Sequence, residues 1–175
     1  EDILYLCQDI REFELYGTVN VVISTCDSLN YITEPDELLE VFKLINNYLE
    51  RDGLFIFDLN TPFKYEKMLA DNTFAESREE AAFIWDNYYD EEKKLNEYCL
   101  TMFYQSEDGR YDRADELHYE RNYSIGQIKE LLNKAGLEFV GAYADYTDDS
   151  YIDGMETERM LIIAKEGYQE GKTYI

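Results

Sequence analysis

Residues 19 to 59 hold a strand, a helix and a second strand in succession, and this order constrains the chain more than any other feature. "VNVVIST" (19–25) carries three consecutive β-branched residues, Val21, Val22 and Ile23, which predicts a strand buried on both faces. Residues 35 to 50 read as a helix. Pro35 suits its first turn, and Glu34, Asp36 and Glu37 complement the positive end of its dipole. Leu38, Val41, Phe42, Ile45 and Leu49 form one apolar stripe. "RDG" then ends the helix, with Gly53 expected in the left-handed region. "LFIFDL" (54–59) is the next apolar strand. A strand, a helix and a strand of these lengths make a βαβ unit with a parallel pair, so the fold class is α/β.

The flanking segments extend this unit. "ILYLC" (3–7) reads as a short buried strand preceding it. Thr61 and Pro62 read as the cap and first position of a helix over 62–70. Residues 82 to 123 alternate apolar and polar side chains around the turn signal "EDG" (107–109), which predicts two or three antiparallel strands. In "SIGQIKELLNKAG" (124–136), Ser124 and Gln127 form a capping box, Ile128, Leu131, Leu132 and Ala135 face inward, and Gly136 stops the helix. "LEFVGAYAD" (137–145) and "ERMLIIAK" (158–165) are closing strands, joined too closely for a parallel crossover and hence antiparallel. The expected organisation is a core of 1–60 and 124–165, an insert of 61–123, and a polar, loose tail of 166–175.

Charge and composition exclude several function classes. The chain has 39 acidic and 16 basic residues, a net charge of −23. Nucleic acids and anionic membranes are bound largely through Lys and Arg, so neither is an expected partner. No segment has the length and apolarity of a membrane span, and no signal peptide opens the sequence. Cys7, Cys26 and Cys99 are odd in number and widely spaced, which fits free thiols in a reducing cytoplasm. With His118 as the single histidine, no histidine-rich metal site is expected.

Ligands of open α/β sheets bind beyond the carboxyl ends of the strands. That rule selects "QDI" (8–10), "TCDSLNY" (25–31) and "DLNTPFKY" (58–65). In these segments and in "YLCQDIREF", "VNVVISTCDSLNYI", "DELLEVFKLINNYLERDGLFIFDLNTP" and "YSIGQIKELLNKAGLEFVGAY", the chain resembles the later part of a class I S-adenosylmethionine-dependent methyltransferase. The likeness is to the small-molecule type with an antiparallel insert after the fifth strand. The family's glycine-rich loop and its second strand are absent, so the resemblance implies a partial Rossmann-like sheet whose first two βα units are missing. The segment over 61–123 would then form a lid.

The resemblance implies S-adenosylmethionine as cofactor, S-adenosylhomocysteine as product and an in-line methyl transfer to a small molecule. Asp9 would accept from the adenine amino group, and the Ile10 amide would serve a ring nitrogen. Thr25, Cys26 and Asp27 would line the cofactor cleft. Each has an ordinary reading beside it: a surface-turn acid for Asp9, a buried small hydrophobe for Cys26, an Asx-turn for Asp27. Asn30, Tyr31 and Asn60 stand on the substrate side, although Asn60 also suits a turn before the Thr61 cap. Asp58 could orient its loop or act as a base, with the structural role favoured. On the insert, Trp85, Tyr88 and Arg121 would contact substrate, and His118 would take up a proton; packing aromatics and a surface histidine are the competing readings.

Two further expectations follow. In the family's sheet the missing strands lie between the third and the fourth, so "VNVVIST" has an open edge. That makes the chain either a fragment of a longer enzyme, consistent with a first residue Glu1, or a polypeptide that completes its sheet with another copy, as a homo-oligomer or swapped dimer. A non-catalytic methyltransferase-like domain acting in protein interaction or self-association is the alternative to an enzyme.

Overall fold

The computed structural model describes residues 3–167 and 172. Among the described residues, eight strands form two four-stranded sheets. The first is built from β1 (Val19–Ser24), β2 (Leu49–Asn60), β7 (Leu137–Ala144) and β8 (Arg159–Glu166), in the order β1-β2-β8-β7. β1 and β2 pair parallel, and the two closing strands pair antiparallel, as their short connection requires.

Two helices cover one face of this sheet. The helix α1 (Pro35–Tyr48) buries Leu38, Val41, Phe42 and Ile45, the stripe seen in the sequence. The helix α2 (Ile125–Lys134) has the full capping box, with Ser124 Oγ accepting from the Gln127 amide and the Gln127 side chain accepting from the Ser124 amide. Gly136 takes φ +78° just after its end, where a side chain would be strained. Phe55, Phe57 and Leu59 of β2 meet Met160, Ile162 and Ala164 of β8 and the two helices in one buried core. Phe55 and Phe57 stack with centroids 4.4 Å apart, and Phe42 packs against both.

The opposite face is only half covered. Val21 is 45% and Ile23 65% exposed, so the expectation of a strand buried on both faces does not hold. β1 pairs with β2 alone and forms the edge of the sheet, and nothing among the described residues packs over its second face. The same lack of a neighbour accounts for "ILYLC". Residues 3 to 7 form no strand, and Tyr5 is 84% exposed, because extended backbone without a hydrogen-bonding partner gains nothing from the β conformation.

Two local expectations also change, and one strand appears that was not expected. Asp52, not Gly53, takes the left-handed conformation after α1, with φ 62°. Gly53 is required by crowding: a Cβ there would lie 2.9 Å from the Glu50 carbonyl and 3.0 Å from that of Asn20. The helix after Thr61 is wound as a π-helix over Lys64–Leu69, with Thr61 Oγ1 accepting from the Lys64 amide. Residues 82 to 123 hold three antiparallel strands, within the two or three expected, β4 (Ala81–Asp90), β5 (Leu95–Gln105) and β6 (Tyr111–Arg121), and an unexpected strand ahead of them, β3 (Thr73–Ser77), pairs with β4 to complete the second sheet in sequence order. Most of the tail expected to be loose lies outside the described residues. Its first residue, Glu166, is buried in β8 and pairs at 3.1 Å with Lys172.

Candidate functional site

The carboxyl ends of β1 and β2 open onto a cluster of polar side chains that four other segments complete. β1 runs into Cys26 and Asp27, both with positive φ (61° and 52°), and then into a single 3-10 turn, Ser28–Tyr31. Neither residue is glycine, and two successive left-handed residues cost energy that surrounding contacts must offset. The contacts are at hand. The Asp27 amide donates to Asp58 Oδ1 at 3.2 Å, and the Asp27 carboxylate accepts from Arg159 at 2.9 Å and from the Asn60 amide group at 2.9 Å. Arg159 starts β8 opposite Asn60, so the antiparallel return of the chain delivers its guanidinium to the strand ends.

Asp58 has no exposed side-chain surface, yet it is ionisable. Arg159 donates to it at 2.6 Å and the Tyr146 hydroxyl donates to it as well. Burial, Asp58 and its charge raise the Tyr146 hydroxyl to about 12, so the phenol stays a donor. Asp58 therefore holds the loop after β1 through the Asp27 amide.

Asn60 is the hub on the other side. Its backbone amide donates to Asn30 Oδ1 (3.1 Å), and its side chain lies within 3.2 Å of Tyr65 Oη and of Glu120 Oε2. Lys64 donates to Asn60 Oδ1 at 3.1 Å. Asn30, fully buried, donates to the Arg121 carbonyl at 2.8 Å, which locks the 3-10 turn to the end of β6. Glu120, one residue earlier on β6, accepts from the Tyr65 hydroxyl at 2.8 Å. Burial pushes the Glu120 carboxyl above the usual carboxylate range, and Asp27 adds to the shift, while the bond from Tyr65 works against it. Burial and Glu120 likewise hold the Tyr65 phenol well above its ordinary value.

At the mouth, Tyr31 meets Tyr98 hydroxyl to hydroxyl, and burial, with the nearby charge of Glu120, raises its phenol. His118 stacks on Tyr98 (centroids 4.6 Å) and stands edge-on to Tyr31 (5.8 Å), with its Nε2 3.0 Å from Glu116. The second sheet thus closes over the strand ends through β5 and β6.

The structure gathers Asp27, Asn30, Tyr31, Asn60 and His118 at one place, and Thr25 and Cys26 sit exposed at its rim. Arg121 contributes its carbonyl there, while its guanidinium donates to the carbonyls of Thr33 and Lys93. Asp9 stands apart: it is exposed and ion-paired with Arg11 at 2.7 Å, and the bonds from Arg11 lower its carboxyl to about 2. Ile10 packs at the edge of the core. Tyr88 points to the other face of β4, beside Tyr89 and Lys93, and Trp85 packs on Phe74 and Tyr98 away from the polar cluster. Sequence reading missed Lys64, Tyr65, Glu120, Tyr146 and Arg159. Only the polar spacing of "NTPFKY" gave a signal; the others arrive from strands and loops remote in sequence.

No family model matches the chain. It is similar, at 30% identity over its full length and 68% of the relative, to the "Putative methyltransferase YqeM" of Bacillus subtilis (strain 168). The "Putative methyltransferase GWCH70_2453" of Geobacillus sp. (strain WCH70) is 35% identical over 91% of the chain and 64% of that relative. The crystal structure of a S-adenosylmethionine-dependent methyltransferase from Clostridium acetobutylicum ATCC 824 superposes with a TM-score of 0.84 at 29% identity, over 93% of this chain and 64% of that one. The chain thus spans about two thirds of the length of the proteins it matches. With the parallel β1–β2 pair, the antiparallel return of β8 and the sheet inserted after β2, these similarities place the chain in the class I S-adenosylmethionine-dependent methyltransferase family.

Proposed function

We propose that the chain contributes the substrate side of a longer S-adenosylmethionine-dependent methyltransferase acting on a small molecule. The observation that carries this reading is the polar cluster beyond the carboxyl ends of β1 and β2, roofed by the second sheet. The share of the relatives' length covered and the unpaired outer edge of β1 support a longer parent. The segment 61–123 acts as its lid.

The residues present fit the cofactor on one side. Thr25 and Cys26 offer an exposed turn, Asp27 beside them would have to exchange a bond from Asn60 or Arg159 for one to the ligand, and Asp9 and Ile10 follow the segment expected to flank the adenine. The Asp9 carboxylate would have to exchange its bond to Arg11 for one to the ligand. When bound, the cofactor supplies a methyl group already activated by a positive sulfur.

The chain's own residues then have to position the acceptor and remove its proton. Asn60 and Asn30 hold the loop after β1 against β6, which fixes the distance between Asp27 and the Tyr31–Glu120 wall. His118, half-buried between Tyr31, Tyr98 and Glu116, takes up the proton released by the methylated atom. The second sheet keeps water from the reacting atoms.

Calorimetric titration with S-adenosylhomocysteine tests the cofactor assignment. Saturable binding that is weakened by Asp27→Ala and by Asp9→Ala is expected. A folded chain that binds none of it removes Asp9, Ile10, Thr25, Cys26 and Asp27 from the cofactor site.

A further inference from the structure

The second sheet carries a groove whose character is opposite to that of the polar cleft. This open groove of about 620 Å³ is lined mainly by Phe83, Trp85, Leu100 and Met102, with Tyr98 among its walls and the Glu76–Arg78 ion pair also along it. That volume lies in the range of small-molecule sites. The register shows how the groove joins the cleft. Asn96 pairs with Glu120, Tyr98 with His118, and beyond them Leu100 faces Trp85 and Met102 faces Phe83. Alternate residues of a strand share a face, so Glu120, His118, Tyr98, Leu100 and Met102 form one continuous surface. It runs from the reacting end to the apolar end over the six residue steps from Asn96 to Met102 of β5, roughly 20 Å at the rise of a strand. Tyr98 belongs to both parts, since its ring lines the groove while its hydroxyl meets Tyr31 at the cleft.

The Trp85 ring forms one wall of the groove, packed between Phe74 and Tyr98.

We propose that this groove seats the apolar body of the methyl acceptor, which is therefore an amphipathic small molecule. Its nucleophilic end lies at the Tyr31–Glu120 wall, and its unbranched or planar apolar portion lies along Trp85, Leu100 and Met102. The assignment of the occupant as methyl acceptor rests on the reading of the cleft as a methyl-transfer site; the groove itself does not.

Trp85 is the only tryptophan, so its fluorescence reports on the groove directly. The test titrates the whole chain, without cofactor, with n-alkyl alcohols from butanol to octanol, exciting where tyrosine does not absorb. Saturable blue shifts are expected, with the dissociation constant falling about fourfold per added methylene. Leu100→Glu should abolish the shift while far-UV circular dichroism stays unchanged, and Met102→Glu provides the same test if the first variant unfolds. A wild-type spectrum that does not respond, or responds equally to all chain lengths, overturns the proposal. So does an emission that changes with protein concentration alone, with sedimentation showing dimers that Leu100→Glu dissociates, because the groove is then an interface between copies. The alcohols contain no cofactor. Failure of the methyltransferase reading therefore appears separately, as absent S-adenosylhomocysteine binding in a chain that still takes up alcohols.

Discussion

Arg159 is the residue on which most of the cleft depends. It bridges Asp27 and the fully buried Asp58, two carboxylates that would otherwise repel each other. Removing one partner of a buried pair leaves an uncompensated charge, which costs about 3–5 kcal/mol. Arg159→Met should lower the urea midpoint accordingly, and Arg159→Lys should recover only part of the loss, because one ammonium cannot replace a guanidinium fork between two acids. An unchanged midpoint in Arg159→Met would show that Asp58 is held by Tyr146 alone. Glu120 makes a prediction of opposite sign from that of most carboxylates. Its folded-state value is raised above the ordinary glutamate value of 4.5, so the fold binds its proton more tightly than the unfolded chain does. This contribution is complete below about 4.5 and is lost as pH rises through the elevated value. Thermal unfolding of Glu120→Gln across that window should therefore be flatter than that of the wild type on raising the pH; parallel curves would exclude a raised Glu120. These residues were the least legible from sequence. Asp27, Asn30 and Asn60 sit next to strand ends and were found there, whereas Glu120 and Arg159 are 60 and 99 or more positions from Asn60 and look like ordinary surface charges.

At the scale of elements, local chemistry and tertiary contact divide clearly. The capping box of α2 is written in four residues and forms as written, so Ser124→Ala should cost about 1 kcal/mol in chemical denaturation. Gly53 shows the other case. Its position after a helix suggested a left-handed turn, but the backbone of β1 approaches it so closely that a Cβ has no room. Gly53→Ala should therefore destabilise by overpacking, about 1–3 kcal/mol. A neutral result would mean that β1 shifts freely at its edge. The three strands of 82–123 were legible from their alternation, whereas β3 ahead of them is wholly exposed and carries no apolar periodicity, so only its pairing with β4 defines it.

For the whole molecule, the decisive feature is the sheet that ends at β1. An apolar edge strand with a free row of backbone donors and acceptors invites a further strand. Val21, Ile23, Leu54, Ile56 and Ile163 share the half-covered face behind it. The 175-residue chain is expected to self-associate with increasing concentration, and Ile23→Lys should shift sedimentation toward the monomer. A monomer at every concentration would show that the net charge of −23 outweighs the edge.

The sequence alone determined the helices, the parallel and antiparallel pairings and the strand ends at which the cleft opens, because periodicity, caps and connection length are local. It also carried the likeness to the methyltransferase family in the order of those pieces. The tertiary structure decided which strand is an edge, which face is exposed, whether residues 3 to 7 become a strand, and which charges meet at Asn60. Those outcomes depend on partners far along the chain, and burial and hydrogen bonding are properties of pairs, which no single segment contains.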